Sequence, residues 1–112
     1  MSRLLDLEVL SSADGEVRAR LPVTDGLKQP LGLVHGGVFA VIADELAVNA
    51  TPGAIRALSN QTSFLRPVTE GVIQATARRR HSGRTTAVWE VDIADDAGRL
   101  CALVRVTVAR SP

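Results

Sequence analysis

An α+β domain, with one curved antiparallel sheet wrapped around a single long central helix, is the fold class that this 112-residue sequence predicts. Three observations carry the prediction. Only residues 34–50 repeat their apolar side chains at helical spacing, and they are apolar nearly all round, as in a helix enclosed by other elements. The other long segments read as strands. The last four of those are joined by short turns, which suits antiparallel neighbours. One core accounts for a chain of this length, so residues 1–112 are read as a single domain.

Taken in order, residues 5–10 alternate apolar and polar, Ala13-Asp14-Gly15 supplies turn chemistry, and residues 17–21 alternate again. The pattern is a hairpin of two half-exposed strands. Pro22 and residues 24–32 then carry the chain as a loop to the helix. The helix opens at His35-Gly36-Gly37, repeats Val38, Val41, Ile42, Leu46 and Asn49 at three- and four-residue spacing, and stops at Thr51-Pro52-Gly53. Strands are expected over residues 55–65, 72–80, 85–94 and 100–109, with turns at 66–71, 81–84 and 95–99. In the third of these strands Ala87, Trp89, Val91 and Ile93 share one face and Thr86, Val88, Glu90 and Asp92 the other, so one side faces a core. Such a sheet leaves an edge that a second copy of the chain would cover, and a homodimer is expected.

Composition narrows the function. A net charge of +1 gives no reason to expect a nucleic-acid partner, and three aromatic rings are too few for a base-stacking platform. Cys101 is the sole cysteine, and His35 and His81 lie far apart, so neither a disulfide within the chain nor a spaced metal-ligand set is expected. No segment has the apolar length of a membrane span, and residues 1–6 lack the apolar run of a leader; a cytoplasmic protein is the default expectation. Gly-x-Ser-x-Gly and phosphate-cradling glycine loops are absent. The anomaly is a pair of carboxylates, Asp44 and Glu45, inside the apolar helix. Burying an ionised carboxylate is costly unless it is paired or at work.

The motif Leu31-Gly32-Leu33-Val34-His35-Gly36-Gly37, an acid nine residues after the histidine, and the later Phe64-Leu65-Arg66-Pro67 resemble the hot-dog-fold acyl-CoA thioesterases. Within that family the sequence looks most like the branch of phenylacetate-pathway and hydroxybenzoyl-CoA enzymes. The resemblance spans nearly the whole chain. It implies hydrolysis of an aryl, arylacetyl or medium-chain acyl-CoA to free acid and CoA, with CoA part of the substrate and no cofactor, by a homodimer that pairs again into a tetramer.

It also implies roles, and several agree with what the residues can do unaided. The first N–H groups of a helix are unpaired and lie at its positive end, so the Gly36 N–H would stabilise an oxyanion, with Gly37 beside it. Asp44 would serve as nucleophile or as general base for water. Gln29 would help to hold the water, the acid or the thioester oxygen, and His35 would support the motif loop. Phe64, Leu65, Arg66 and Pro67 at one strand end, and the hairpin His81-Ser82-Gly83-Arg84-Thr85, would hold pantetheine and phosphates, with Arg78, Arg79 and Arg80 adding positive charge nearby. Ala57 falls where many relatives carry an assisting Ser or Thr, with Ser59 two residues on. Spacing adds one constraint: Gly36 and Asp44 lie about 12 Å apart along a helix, too far to meet one reacting carbon. A site shared between two antiparallel copies of the helix resolves it.

Two alternatives stay open in the sequence. Ala57 and Val48 lack hydroxyls, which suits a non-catalytic acyl-CoA-binding module on the same fold. Glu45 points about 100° away from Asp44 and is read as structural or interfacial.

Overall fold

The computed structural model describes residues 5–112; Met1 to Leu4, part of the stretch read above for a leader, lie outside them. Strands β1 (Glu8–Ala13) and β2 (Glu16–Pro22) precede helix α1 (Gly36–Ala50), and β3 (Ala54–Phe64), β4 (Val72–Ser82), β5 (Thr86–Ala94) and β6 (Leu100–Arg110) follow it. They form one antiparallel sheet in the order β1-β2-β4-β5-β6-β3, leaving β1 and β3 as its edges. The α1 helix lies on the inner face of this sheet, chiefly against β3 and β6. The predicted hot-dog arrangement is therefore observed.

Side-chain alternation makes the central strands. Val17, Ala19 and Leu21 of β2, Ile73, Ala75 and Ala77 of β4, Ala87, Trp89, Val91 and Ile93 of β5, and Ala102, Val104, Val106 and Val108 of β6 are all buried. Ile42, Ala43, Leu46 and Ala47 press onto this floor from the helix. Trp89, the largest core side chain, must bury an indole N–H. It donates to Thr51 Oγ1 at 2.9 Å, and that hydroxyl donates to the Ala47 carbonyl at 2.7 Å, so one threonine ends the helix and satisfies the tryptophan.

The structure corrects two sequence expectations. The first strand starts at Glu8 and runs to Ala13, beyond the 5–10 segment that alternates, and it is exposed throughout rather than half-buried. Val9 and Ser12 border an open pocket with Glu45, Leu46, Asn49 and Ala50 of the helix, so this edge strand stands off the core and does not pack on it. The turn that follows centres on Gly15, whose φ of +82° is a conformation that favours glycine. The second correction concerns α1, which is not enclosed on all sides. Phe39, Ile42, Ala43, Leu46 and Ala47 are buried, but Ala40, Val41, Asp44 and Val48 form a flank that is only half-buried, beside the β3 edge.

Candidate active site

Backbone bonds stitch the motif loop before α1. Gln29 N–H donates to Leu33 O at 2.7 Å, Gly32 N–H to Gln29 O at 2.9 Å, Val34 N–H to Val68 O at 2.8 Å and His35 N–H to Leu27 O at 2.9 Å. The Gln29 side-chain oxygen also accepts the Leu31 N–H. The loop thus delivers the chain to His35, the helix N-cap, whose side chain makes no capping bond. Consequently the N–H groups of Gly36 and Gly37 meet no acceptor among the described residues. They lie at the positive end of the helix, where negative charge is stabilised.

These donors open onto a cleft of about 580 Å³, lined by Gln29, Leu33, Val34, His35, Gly36, Phe39, Phe64, Leu65, Arg66 and Pro67. Phe39 and Phe64 wall it with rings whose centroids are 6.4 Å apart. A Cβ on Gly36 would lie 2.7 Å from the Phe64 ring, so the glycine is what lets that wall close over the helix start. Main-chain bonds from Leu65 and Arg66 N–H to Cys101 O fix the opposite rim. Gln29, His35, Gly36 and the Phe64–Pro67 segment are thereby gathered at one end of the molecule. Gly37 sits beside them, exposed on the first helical turn.

Asp44 is not among them. It lies eight residues along α1, about 12 Å from Gly36 at the helical rise, on the half-buried flank. There Asn60 Nδ2 on β3 donates to Asp44 Oδ1 at 2.8 Å and to Ala40 O at 3.1 Å, and Asn60 Oδ1 accepts the Thr62 hydroxyl at 2.7 Å. Glu45, one step round the helix, is buried on the opposite flank and accepts the Leu5 N–H at 3.0 Å, tying the start of the described chain to the helix.

The remaining sequence candidates are spread out. Ala57 is half-buried on the inner face of β3, whereas Ser59 is exposed and pairs with Thr107, which puts it on the outer face. The hairpin His81-Ser82-Gly83-Arg84-Thr85 lies beside the Ala54 end of the sheet, where Thr85 O accepts the Arg110 N–H. The Phe64 end of β3 is about 30 Å away at strand rise. Arg78 pairs with Glu16 and Asp92, Arg79 with Asp14, and Arg80 with Glu90, so much of the positive charge read for that hairpin is neutralised by neighbouring carboxylates. Cys101 is buried; its thiol donates to Arg99 O at 3.3 Å, and desolvation pushes its pKa up, which suits a core side chain and not a nucleophile. Among the described residues no group of three acidic, histidine or cysteine side chains stands close enough to hold a metal ion.

Sequence reading missed Asn60 and Thr62. Their signal was a break in pattern, since two polar residues occupy inner-face positions of a strand that otherwise reads as core-facing. It was hidden because β3 has bulges between Ala54 and Arg56 and between Ala57 and Ser59: the first flips the inside–outside parity and the second flips it back, so Ala54, Ala57 and Asn60 share a face at three-residue spacing and strict alternation fails along this stretch.

Residues 31–102 match the family described as the thioesterase superfamily. The chain is 30% identical to a 1,4-dihydroxy-2-naphthoyl-CoA hydrolase of Listeria monocytogenes, an alignment covering 97% of this chain and 94% of that protein. Among solved structures it is similar to a mutant thioesterase from Pseudomonas aeruginosa, with a TM-score of 0.88 and 31% identity over 97% of this chain and 84% of the other. A Staphylococcus aureus thioesterase, solved as two single mutants, superposes with TM-scores of 0.89 and 0.90 at 28% and 29% identity, covering 96% of this chain and 95% of that one in both cases.

Proposed function

Since the chain belongs to the thioesterase superfamily and is a thioester hydrolase, we propose that it cleaves an acyl-CoA in a site completed by two copies, with the Gly36 N–H of one facing Asp44 of the other. The observation that carries this reading is the separation just described: a donor pair without acceptors at one end of α1, and a carboxylate held on the open flank beyond its reach. Neither group alone makes a hydrolase.

The β3 edge supplies the means of association. Ile55, Leu58, Phe64 and Leu65 are each at least half exposed along it, and an unpaired edge of this length invites another strand. Antiparallel pairing of β3 with itself would set the Phe64 end of one copy beside the Ala54 end of the other. That brings the second copy's 81–85 hairpin toward the cleft and its Asp44 toward Gly36, which reunites the residues that one chain keeps apart.

In such a site the thioester oxygen would sit at the helix N-terminus, where backbone donors and the helix dipole stabilise the charge that develops as water attacks. Asp44 takes the proton from that water as its oxygen bonds to the thioester carbon, and gives it to the sulfur as the C–S bond of the tetrahedral intermediate breaks, releasing the free acid and the CoA thiol and restoring the carboxylate. Gln29 and His35 border the oxyanion end, and Phe39, Phe64 and Leu65 offer apolar walls to the acyl group or pantetheine arm. An aryl-CoA is the favoured substrate class, given the Listeria relative's name and these walls. Further support comes from Staphylococcus aureus: the two mutants replace a glutamine and a glutamate fifteen positions apart, the spacing between Gln29 and Asp44.

Complementation tests the reading. Asp44→Ala should lower kcat on an acyl-CoA panel by about 10²–10⁴-fold. Gly36→Pro removes the N–H at the first helical position and also sets a Cβ against the Phe64 ring, so it disables the oxyanion end of the site and should inactivate as well. Co-expressed, the two should regain activity, because each mixed dimer contains one site with both groups intact. Full turnover by Asp44→Ala, or no recovery in mixed dimers that form, would refute the shared site.

A further inference from the structure

We propose that Asn60 is a positioning residue for the Asp44 carboxylate, held in its own orientation by Thr62. The proposal rests on the reading of Asp44 as the base, and it explains a feature that reading does not need. On β2, β4, β5 and β6 the inner positions over the core are Val, Ala, Leu, Ile and Trp. On β3, opposite Val106 and Val104, the same face carries Asn60 and Thr62. Polar groups on a core-facing surface cost stability unless they are bonded. Here they are bonded in a line that ends on the one acid proposed to do chemistry.

The amide has a single workable orientation. Its NH₂ carries two hydrogens and has two acceptors, Asp44 Oδ1 and the Ala40 carbonyl; its oxygen has the Thr62 hydroxyl as donor. Turned over, it would set a carbonyl against two acceptors. Ala40 stands one helical turn before Asp44, so the same NH₂ grips the carboxylate and the helix backbone under it. That fixes the rotamer of Asp44 and occupies one of its oxygens. Oδ2 accepts no hydrogen bond among the described residues and is left for the proton of the attacking water.

An aspartate also reaches one methylene less far than the glutamate substituted in the Staphylococcus aureus relative. A shorter acid tolerates less wandering if it must meet a water held by the other subunit. The clamp from β3 supplies that restraint, and the bulge between Ala57 and Ser59 is what turns Asn60 toward the helix.

The test compares wild type, Asn60→Leu, Thr62→Val, Asp44→Ala and the Asp44→Ala/Asn60→Leu double variant by steady-state hydrolysis of the best acyl-CoA in a panel, with a thermal melt of each. Asn60→Leu keeps the volume and removes the amide. It should lower kcat on the order of 10²-fold, the cost of a misplaced catalytic group, with KM and melting temperature near those of wild type. Thr62→Val should lower kcat by up to about tenfold, the scale of one lost hydrogen bond. In the Asp44→Ala background Asn60→Leu should have no further effect, because it acts only through the carboxylate. Wild-type kcat in Asn60→Leu alongside an inactive Asp44→Ala would overturn this proposal and leave the role of Asp44 standing; a fully active Asp44→Ala would overturn both. Should Asn60→Leu fail to fold, Asn60→Ser and Thr62→Val carry the same comparison.

Discussion

β5 and β3 both hydrogen-bond to β6 in one sheet, and they use that shared neighbour in opposite ways. β5 pairs with it regularly until the bulge at Ile93/Ala94, buries Ala87, Trp89, Val91 and Ile93, and offers nothing reactive to the core. β3 pairs through two bulges, leaves Ile55 and Leu58 more than or about half exposed at them, and turns Asn60 and Thr62 inward to a carboxylate. The interior strand buries apolar side chains, and the edge strand holds the polar groups of the proposed site. The edge is the place where a second chain can approach and where a polar inner face costs least, since solvent or a partner is near.

The sharpest way to break the comparison is to damage each strand and read both stability and turnover. Trp89→Ala should cost about 3–5 kcal/mol, the range for deleting a fully buried tryptophan. Denaturant unfolding measures it, and any activity left in the folded fraction should be near normal. The damage belongs to the fold.

On the edge the opposite outcome is expected. Ile55→Glu with Leu58→Glu should leave the folded monomer nearly as stable as wild type. It should weaken self-association by about 1–3 kcal/mol per residue, the worth of burying such a side chain. Sedimentation would register a shift to monomer, and specific activity would fall with dilution. A double variant that stays associated and active would show that β3 is not the contact.

The smallest expected effect lies in the turn joining β5 to β6. Asp95 accepts the Arg99 N–H at 2.9 Å, the Ala97 N–H at 3.0 Å and the Arg99 Nε–H at 2.9 Å. The Arg99 main-chain bond, foremost, then the charge and side-chain bond of Arg99 and the Ala97 N–H hold its carboxyl below the usual carboxylate range, against the opposing effect of desolvation. A carboxyl lowered on folding contributes stability above its unfolded pKa, and that contribution is lost as pH falls through the folded value. Asp95→Asn should therefore melt below wild type at neutral pH. The gap should close as the solution is acidified past the folded pKa of Asp95.

The two strands also explain what could be read from the sequence. β5 was legible down to the face of each residue, because strict alternation over Thr86–Ala94 has one interpretation when a single core is available. The helix, the order of elements along the chain and the His35-Gly36-Gly37 helix start were legible for similar reasons, and Gln29, His35 and Phe64–Pro67 do line one cleft. β3 was legible only as a strand. A bulge leaves no mark in composition, so Ser59 was placed beside Ala57 as a site residue while Asn60, the residue that faces the helix, went unnoticed. Glu45 was legible as structural or interfacial but not by partner, because the Leu5 N–H that it accepts is forty residues away in the chain.

The bulge after Ala57 also bears on how this protein tolerates changes in chain length. Between Val108 and Thr107 of β6 there is one step, and between Ala57 and Ser59 of β3 there are two. Removing Leu58 would restore regular pairing while Asn60 stays opposite Val106 and still faces the helix. Removing one residue between Asn60 and Phe64 has no such slack to draw on, and would send either the Asp44 contact or the aromatic wall of the cleft to the wrong side of the sheet. Variation in length is thus absorbed at the bulges near the start of this strand, at Ile55 and Leu58, and excluded from the residues that follow them.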